Sequence, residues 1–285
     1  MRLLSPLRER AVTRLQSLPR IARSRLLGGV VVSEDLALVS TAGYRVAATL
    51  HRPRHGGPHP GVLLCPGTDA PGSIFLGWTE PLNAPELASL GYAVLHFDPA
   101  GRGQSWGEED YGGPEHQDDV RVALKALLAH RAVDPERVVV VSISLGLSMA
   151  VGALARWPDA LPVRALIDWE GPCDREIITA GGTRMAPAMG RRLDDDFYWH
   201  PREGVRHVGQ LRCGYVRVQS SRDHAQPGEL RHAERMILAA SAGALPWFRL
   251  NEHEPGEIPS TPRWTPPGRS AANRVLLHWI KRLLT

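Results

Sequence analysis

Apolar residues along the chain form two kinds of run, short β-branched runs and longer stretches rich in small residues. The run Arg137-Val138-Val139-Val140-Val141 is short and does not alternate, which is typical of a strand buried on both faces of a parallel sheet. The stretch 147–155 is long enough for a helix, and its small residues allow close packing on a sheet. Together they predict a strand, a tight turn and a buried helix.

Strand-like and helical patterns alternate along the remaining sequence. Residues 37–40 and 44–50 flank the turn Thr41-Ala42-Gly43 and predict a β-hairpin. Further strands are predicted at 62–65, 92–98, 165–169, 215–219 and 247–251, and a helix near 229–242. Two more helices carry apolar stripes, formed by Val120, Ala123, Leu124, Leu127 and Leu128, and by Val275, Leu276, Trp279, Ile280 and Leu283. This alternation predicts an α/β fold, a mostly parallel central sheet with helices on both faces.

Composition and charge narrow the class of protein. With 285 residues, the chain is long enough for one large α/β domain. The net charge of +4 is spread along the chain, so we expect no nucleic-acid partner. The three cysteines, Cys65, Cys173 and Cys213, are far apart and odd in number, which indicates a reducing compartment and predicts a cytoplasmic protein.

Residues 1–28 differ from the rest because leucines alternate there with seven arginines, and Glu9 is the single acid. No continuous apolar core follows the basic start, so we expect no secretory signal, and no segment of the chain has the length of a membrane span. We interpret 1–28 as an amphipathic arm beside a domain at 29–285. An alternative is a weak contact with an anionic membrane surface or a partner.

The turn Ser142-Ile143-Ser144-Leu145-Gly146 joins the strand to the helix. A sharp strand-to-helix turn exposes a serine hydroxyl, and the helix N-terminus offers N–H groups to a developing oxyanion. Such a turn requires small residues two positions before and after the nucleophile. Ser144 has Ser142 and Gly146 at those positions, whereas Ser142 would have Val140, so Ser144 is the candidate nucleophile. A helix N-cap is the structural alternative for this serine.

Two other patterns do not support a cofactor or a metal. Gly101, Gly103 and Gly107 follow a strand but miss the dinucleotide-binding spacing, and no helix is predicted to begin there. Histidines recur at 51, 55 and 59, but the intervening prolines and glycines prevent a helix that would bring them together. We therefore expect no cofactor and no metal site.

At this point the chain resembles the α/β-hydrolase family over about residues 33–285. The resemblance rests on the opening hairpin, the Pro66-Gly67 turn, the stretch from Asp98 to Ser105 and the turn at Ser144, in that order. It implies a catalytic acid after a late strand and a histidine after the last one. Asp223 and His253 match these positions.

Alternatives remain for both partners of the nucleophile. Asp168 and Asp174 are rival acids near the end of an earlier strand, and His224 or His200 could replace His253. A serine needs a base to remove its proton, and the base needs a carboxylate to fix its tautomer. Three suitable residue types after three separate strands favour a Ser144, Asp223, His253 triad.

The resemblance also implies an oxyanion hole and a lid. The hole would combine the N–H groups of Leu145 and Thr68, and Arg102 is interpreted as a structural partner of Asp98. A short lid is expected at about 170–210. The candidate pocket residues are Trp169, Met185, Met189, Tyr198 and Trp199, although a small local core would use the same residue types.

The sequence thus predicts a serine hydrolase that cleaves small-molecule carboxylic esters through an acyl-enzyme. A peptidase or amidase of the same fold is the alternative, which we rank second because the sequence shows no large additional domain. A non-catalytic scaffold that binds a membrane or a partner is the third hypothesis, and the intact set of Ser144, Asp223 and His253 argues against it. The sequence leaves the oligomeric state undetermined.

Overall fold

The computed structural model describes residues 29–77, 82–179, 193–223, 230–252 and 268–285. The predicted arm at 1–28 lies outside these ranges, as do Met185, Met189, His224 and His253. Within the described ranges no helix combines the length and the apolar character that crossing a membrane requires.

An eight-stranded sheet forms the centre of the described chain, in the order β1-β2-β4-β3-β5-β6-β7-β8. The strands are β1 Val31–Val39, β2 Arg45–Pro53, β3 His59–Cys65, β4 Ala93–Phe97, β5 Val133–Ile143, β6 Ala165–Trp169, β7 Gly214–Val218 and β8 Phe248–Leu250. β2 pairs antiparallel with both β1 and β4, and every other neighbouring pair is parallel. The predicted hairpin and the mostly parallel sheet are both confirmed.

Helices cover both faces of the sheet. They are α1 Ile74–Gly77, α2 Ala84–Ser89, α3 Pro114–Ala129, α4 Gly146–Arg156, α5 Arg175–Thr179, α6 Asp196–Trp199, α7 Gly204–His207, α8 Arg231–Ser241 and α9 Arg269–Leu284, with 3-10 turns at His200–Arg202 and Val208–Gln210. Helices α3, α4 and α8 contribute to one apolar core, and α2 and α9 contribute to the other.

The valines of β5 show why this strand is buried on both sides. Val138 and Val140 belong to the core under α3 and α4, whereas Val139 and Val141 belong to the core under α9. Successive side chains of a strand point to opposite faces, so an unbroken valine run supplies both cores at once. The strand is therefore anchored in both cores, and this packing fixes the position of the turn that follows it.

Parallel strands β3 to β8 direct their C-terminal ends to one edge of the sheet. The turns after β3, β4, β5, β6, β7 and β8 all begin at this edge, which is where ligands bind in open α/β sheets. Every residue of the predicted triad and oxyanion hole lies in one of these turns by its position in the sequence.

Candidate active site

Ser144 occupies a strained turn between β5 and α4. Its φ is 51°, in the left-handed region that non-glycine residues rarely adopt. Its backbone N–H donates to the Trp169 carbonyl at 3.0 Å, which ties the turn to the end of β6. Ser144 is partly exposed, whereas the Ser142 hydroxyl is fully buried and has no hydrogen-bond partner among the described residues. Of the two serines, Ser144 is the one that a substrate could reach.

Close backbone contacts hold this turn in place. A β-carbon at position 146 would come within 2.7 Å of the carbonyl oxygens of Cys65 and Pro66, so only glycine fits there. A β-carbon at Gly67 would lie 3.1 Å from Ser144 Cβ. The turn after β3 and the turn after β5 therefore pack directly on each other.

Two backbone N–H groups at this contact lack an acceptor. Neither the Leu145 N–H nor the Thr68 N–H donates a hydrogen bond within the described part of the chain. Leu145 precedes the first residue of α4, where helix N–H groups are not satisfied by the helix itself. Leu145 is buried and Thr68 is half-buried, and buried backbone donors are usually paired, so two unsatisfied donors beside a strained serine suit an anionic oxygen.

The turn that carries Thr68 is fixed by the loop after β4. Asp98 accepts hydrogen bonds from the N–H groups of Gly72 and Gln104, each at 2.7 Å. Arg102 forms its ion pair with Glu109, at 2.6 Å, and not with Asp98. The predicted Arg102–Asp98 pair is therefore wrong. Backbone donors satisfy the carboxylate of Asp98, and the guanidinium finds its acid seven residues further along the loop.

Asp223 lies buried in the loop after β7, only 2% exposed. Gln219 Nε2 donates to its Oδ2 at 2.7 Å. His232 Nε2 lies 3.0 Å from the same oxygen, though not in line for a hydrogen bond. These contacts hold the carboxylate at the edge of the sheet where Ser144 lies.

The loop that leads to His253 begins beside the Asp223 loop. Asn251 accepts a hydrogen bond from the Gln219 N–H at 2.9 Å and donates to the Gln219 carbonyl at 3.2 Å. The φ of Asn251 is 53°, so the chain turns sharply after β8. Residue 253 itself is outside the described ranges.

The rival acids have other roles within the described chain. Asp168 and Arg217 face each other in the register of β6 and β7 and form a fully buried ion pair at 2.7 Å. Tyr215 also donates to Asp168, at 2.7 Å. Burial alone would lower the pKa of Arg217, but the charge of Asp168 raises it above its usual value. Asp174 is buried and pairs with Arg235 at 2.5 Å.

Arg217, Gln219, His232 and Asn251 are site residues that sequence reasoning missed. Arg217 reaches the Gln219 side chain at 2.6 Å and His232 Nδ1 at 3.1 Å, so the Asp168 pair connects to the residues around Asp223. A signal for this network was available in the sequence. Arg217 stands in a strand that is otherwise buried, and a buried arginine requires an acid on a neighbouring strand.

The described residues between β6 and β7 include three that pack against the residue after Ser144. Trp199 is fully buried and packs with Ile178 against Leu145, and Tyr198 packs against the same cluster. Trp169 instead lies in the core with α9, where it pairs in register with Ile143, the last residue of β5. His200, a rival base, is exposed and lies against His207.

The three cysteines lie buried as free thiols. Burial raises the pKa of the thiols of Cys65, Cys173 and Cys213. Among the described residues, no three or more His, Cys, Asp or Glu side chains form a group that could hold a metal ion.

No protein-family model and no curated protein sequence matches the chain. Solved structures do match. A puromycin-hydrolyzing peptidase from Mycobacterium tuberculosis aligns with a TM-score of 0.64 at 17% identity, covering 88% of this chain and 39% of its own. An acylaminoacyl peptidase from Pyrococcus horikoshii aligns with a TM-score of 0.64 at 14% identity, and the match covers 90% of this chain and 42% of that peptidase.

An acetyl xylan esterase from Paenibacillus sp. R4 aligns with a TM-score of 0.58 at 16% identity, and here the match covers 90% of this chain and 85% of the esterase. The chain thus spans about two fifths of the length of the two peptidases and most of the length of the esterase. At such identities the likeness concerns the fold. The order of the strands, the strained turn after β5 and these matches establish that the chain has the α/β-hydrolase fold.

Proposed function

We propose that this chain is a serine hydrolase that cleaves carboxylic esters through a covalent acyl-enzyme. The observation that carries the proposal is the conformation of Ser144, a partly exposed serine at φ 51° beside two N–H groups without an acceptor. Left-handed strain at a non-glycine residue costs about 1–3 kcal/mol and is concentrated at functional sites. A simple N-cap serine needs no such strain.

In the proposed reaction His253 removes the Ser144 proton while the hydroxyl oxygen attacks the ester carbonyl carbon. The carbonyl π bond opens to an oxyanion, which accepts hydrogen bonds from Leu145 and Thr68. When the carbonyl re-forms, the C–O bond to the alcohol breaks and His253 returns the proton to the leaving oxygen. Water then repeats the sequence on the acyl-enzyme, releasing the acid and regenerating Ser144.

Asp223 is the proposed acid that orients His253. It is buried, it is held by Gln219, and its loop adjoins the loop in which residue 253 follows Asn251. A buried carboxylate fixes the imidazole tautomer and stabilises the imidazolium during proton transfer. Asp168 is a poorer candidate because Arg217, Tyr215 and the Gly171 N–H already engage it.

The test uses Ser144→Ala with Ser142→Ala as the matched control. Ser144→Ala should lower kcat on a chromogenic ester by about 10³-fold or more, because it removes the attacking oxygen and adds no bulk. Ser142→Ala should retain turnover, since a small side chain remains before the turn. Mass spectrometry after fluorophosphonate treatment should locate the adduct on Ser144. Wild-type turnover by Ser144→Ala, or an adduct on Ser142, would overturn the mechanism.

A peptidase or amidase activity is the second candidate, and the peptidases among the similar structures are what favour it. Matched substrates separate the two activities, namely a p-nitrophenyl ester and a p-nitroanilide with the same acyl group. We expect kcat/KM to favour the ester beyond the difference in their intrinsic reactivity. Equal efficiency on an N-acyl-amino-acid anilide would assign the chain to the second class.

Trp199 and Tyr198 are proposed to border the substrate pocket, together with Met185 and Met189, whereas Trp169 contributes to the core with α9. Trp199 and Tyr198 pack against Leu145, the residue after the nucleophile, so a group bound beside them would lie near the reacting carbonyl. A series of p-nitrophenyl esters of increasing acyl length would measure the size of this pocket through kcat/KM.

The proposed site of action is the cytoplasm, because all three cysteines are buried and unpaired. For residues 1–28 we propose no part in the chemistry. Deleting them should leave turnover of a soluble ester within a few-fold, and complete loss in a folded truncation would place them in the active site.

A further inference from the structure

Arg102 lies in the loop after β4, directly behind the turn that carries Thr68. Its side chain is buried, and Nη1 donates to the Gly67 carbonyl oxygen at 2.6 Å and to the Ala70 carbonyl oxygen at 3.4 Å. A charged donor to a carbonyl forms a stronger hydrogen bond than a neutral one. Arg102 thus holds the turn after β3 by two of its carbonyl groups.

Glu109 keeps Arg102 in this orientation. The Arg102 Nε and Nη2 donate to the two oxygens of Glu109 at 2.6 and 2.7 Å, which fixes the plane of the guanidinium. The Tyr111 N–H donates to Glu109 as well, at 2.7 Å. Burial alone would raise the pKa of Glu109, but these hydrogen bonds outweigh it and hold the pKa below its usual value. Glu109 therefore remains a carboxylate at neutral pH.

By fixing the Gly67 carbonyl, Arg102 also fixes the direction of the Thr68 N–H. Gly67 C=O and Thr68 N–H belong to one peptide unit, which is trans, and in a trans peptide these two groups point in opposite directions. Because the carbonyl is aimed at Arg102, the N–H is aimed away from it. The turn that carries Ser144 contacts this same peptide unit, since a β-carbon on Gly67 would be 3.1 Å from Ser144 Cβ.

We propose that Arg102 is a positioning residue for the oxyanion site, which acts by fixing the plane of the Gly67–Thr68 peptide so that the Thr68 N–H faces the reacting carbonyl. The inference rests on the proposed serine hydrolase function. It assigns Arg102 no contact with substrate. The arginine orients one donor, and that donor stabilises the charge that forms in the transition state.

The expected effect is on kcat rather than on substrate binding. Removing one oxyanion donor costs about 10²–10³-fold in kcat in other enzymes. Arg102→Met misaligns the donor without deleting it, so we expect kcat on an ester to fall by about 10- to 100-fold with KM changed little. Arg102→Lys keeps one charged donor but loses the paired hydrogen bonds to Glu109. Its kcat should therefore lie between that of Arg102→Met and that of the parent.

The experiment compares an ester with the thionoester in which sulfur replaces the carbonyl oxygen. Sulfur is a weak hydrogen-bond acceptor, so the thionoester gains little from an oxyanion hole. Arg102→Met should therefore slow the ester much more than the thionoester, and the ratio of the two kcat/KM values should fall by about the same 10- to 100-fold. A smaller fraction of folded enzyme would slow both substrates equally.

Arg137→Met is the matched control, because it breaks an ion pair with Asp134 at the opposite end of β5. It should leave the ratio unchanged. An unchanged ratio in Arg102→Met, whatever its absolute rate, would overturn the inference, and Arg102→Lys answers the same question if Arg102→Met does not fold. Failure of the wild-type protein to hydrolyse esters or to react with fluorophosphonate would instead overturn the proposed function.

Discussion

Ser144 adopts its left-handed conformation because its neighbours leave no other path for the chain. β5 ends in the middle of the molecule, and α4 must start at once and pack against β3. Gly146 permits the backbone of α4 to approach the carbonyl oxygens of Cys65 and Pro66, and Gly67 permits the same approach from the other side. The strain at one residue is thus imposed by two glycines and by the burial of two elements.

Gly146→Ala adds a single methyl group but should nevertheless lower the activity strongly. The new β-carbon would meet two backbone carbonyl oxygens at 2.7 Å, and backbone cannot move aside as a side chain can. We expect the turns at 66 and 144 to separate and kcat to fall by about 10²-fold. Gly268→Ala is the control, because a β-carbon there meets nothing within 4 Å. Equal kcat values for the two variants would contradict this account.

Asp223 and Asp168 should respond differently to the same substitution. Asp223→Asn should lower kcat by about 10²–10⁴-fold with the fold retained, because the base loses its tautomer control. Asp168→Asn should instead lower the free energy of unfolding by about 3–5 kcal/mol, because it leaves Arg217 buried without its charged partner. Urea denaturation and ester kinetics on both variants check this, and the reverse assignment of losses would make Asp168 the acid.

At the scale of elements, the site depends on how the ends of β7 and β8 are joined. Asn251 links them through both atoms of its amide to the backbone of Gln219, and Trp279 of α9 donates to the Asn251 carbonyl at 2.8 Å. Gln219 in turn donates to Asp223. The loops of the proposed acid and base therefore start from one hydrogen-bonded unit.

Asn251→Gly is the variant that tests this connection. Glycine tolerates φ 53° but provides no amide, so the chain can still turn while the link to Gln219 is lost. We expect kcat to fall by about 10-fold or more with KM little changed, since a base displaced by about 1 Å loses most of its efficiency. A kcat equal to that of the parent would show that other contacts position the base.

The elements themselves were predictable because their signals are local. The valine run of β5, the β6 run at 165–169 and the stripe of α9 each require only the period of their own side chains, and the structure contains all three. The Asp168–Arg217 pair and the Arg102–Glu109 pair depend on which strands and loops become neighbours. Asp98 is closer to Arg102 in sequence than Glu109 is, so sequence distance favours the wrong partner. Backbone N–H groups already satisfy the Asp98 carboxylate, which leaves Glu109 to pair with the arginine.

At the scale of the whole molecule, several buried histidines take no part in the proposed chemistry but affect how stability depends on pH. His51 and His96 stack on neighbouring strands with their Nε2 atoms 3.1 Å apart. Burial lowers the pKa of both to about 4, and the nearby ring of His96 lowers that of His51 further, while Asp35 opposes both shifts. Burial, with the charge of Arg102, also lowers the pKa of His116 to about 4.

These histidines should make the protein sensitive to mild acid. Above about pH 6.5 they are neutral in both the folded and the unfolded chain and do not affect stability. Between about pH 6.5 and 4 the unfolded chain binds protons that the folded protein excludes, so stability falls as the pH falls, by up to about 1.4 kcal/mol per pH unit for each histidine. We expect the urea midpoint of the parent to decrease over this range.

The double substitution His51→Gln and His96→Gln isolates the contribution of the stacked pair. The variant should lose a large part of the slope of unfolding free energy against pH between 6.5 and 4, because two of the excluded protonation sites are gone. Because the variant and the parent share all their other titratable groups, the contributions of those groups to the slope cancel when the two proteins are compared. The shared groups include Asp119, whose pKa burial raises to about 7 and which therefore acts in the opposite direction. The exposed His200→Gln is the control and should keep the parent slope. If the double variant also keeps it, the stacked pair is not what makes the fold sensitive to acid.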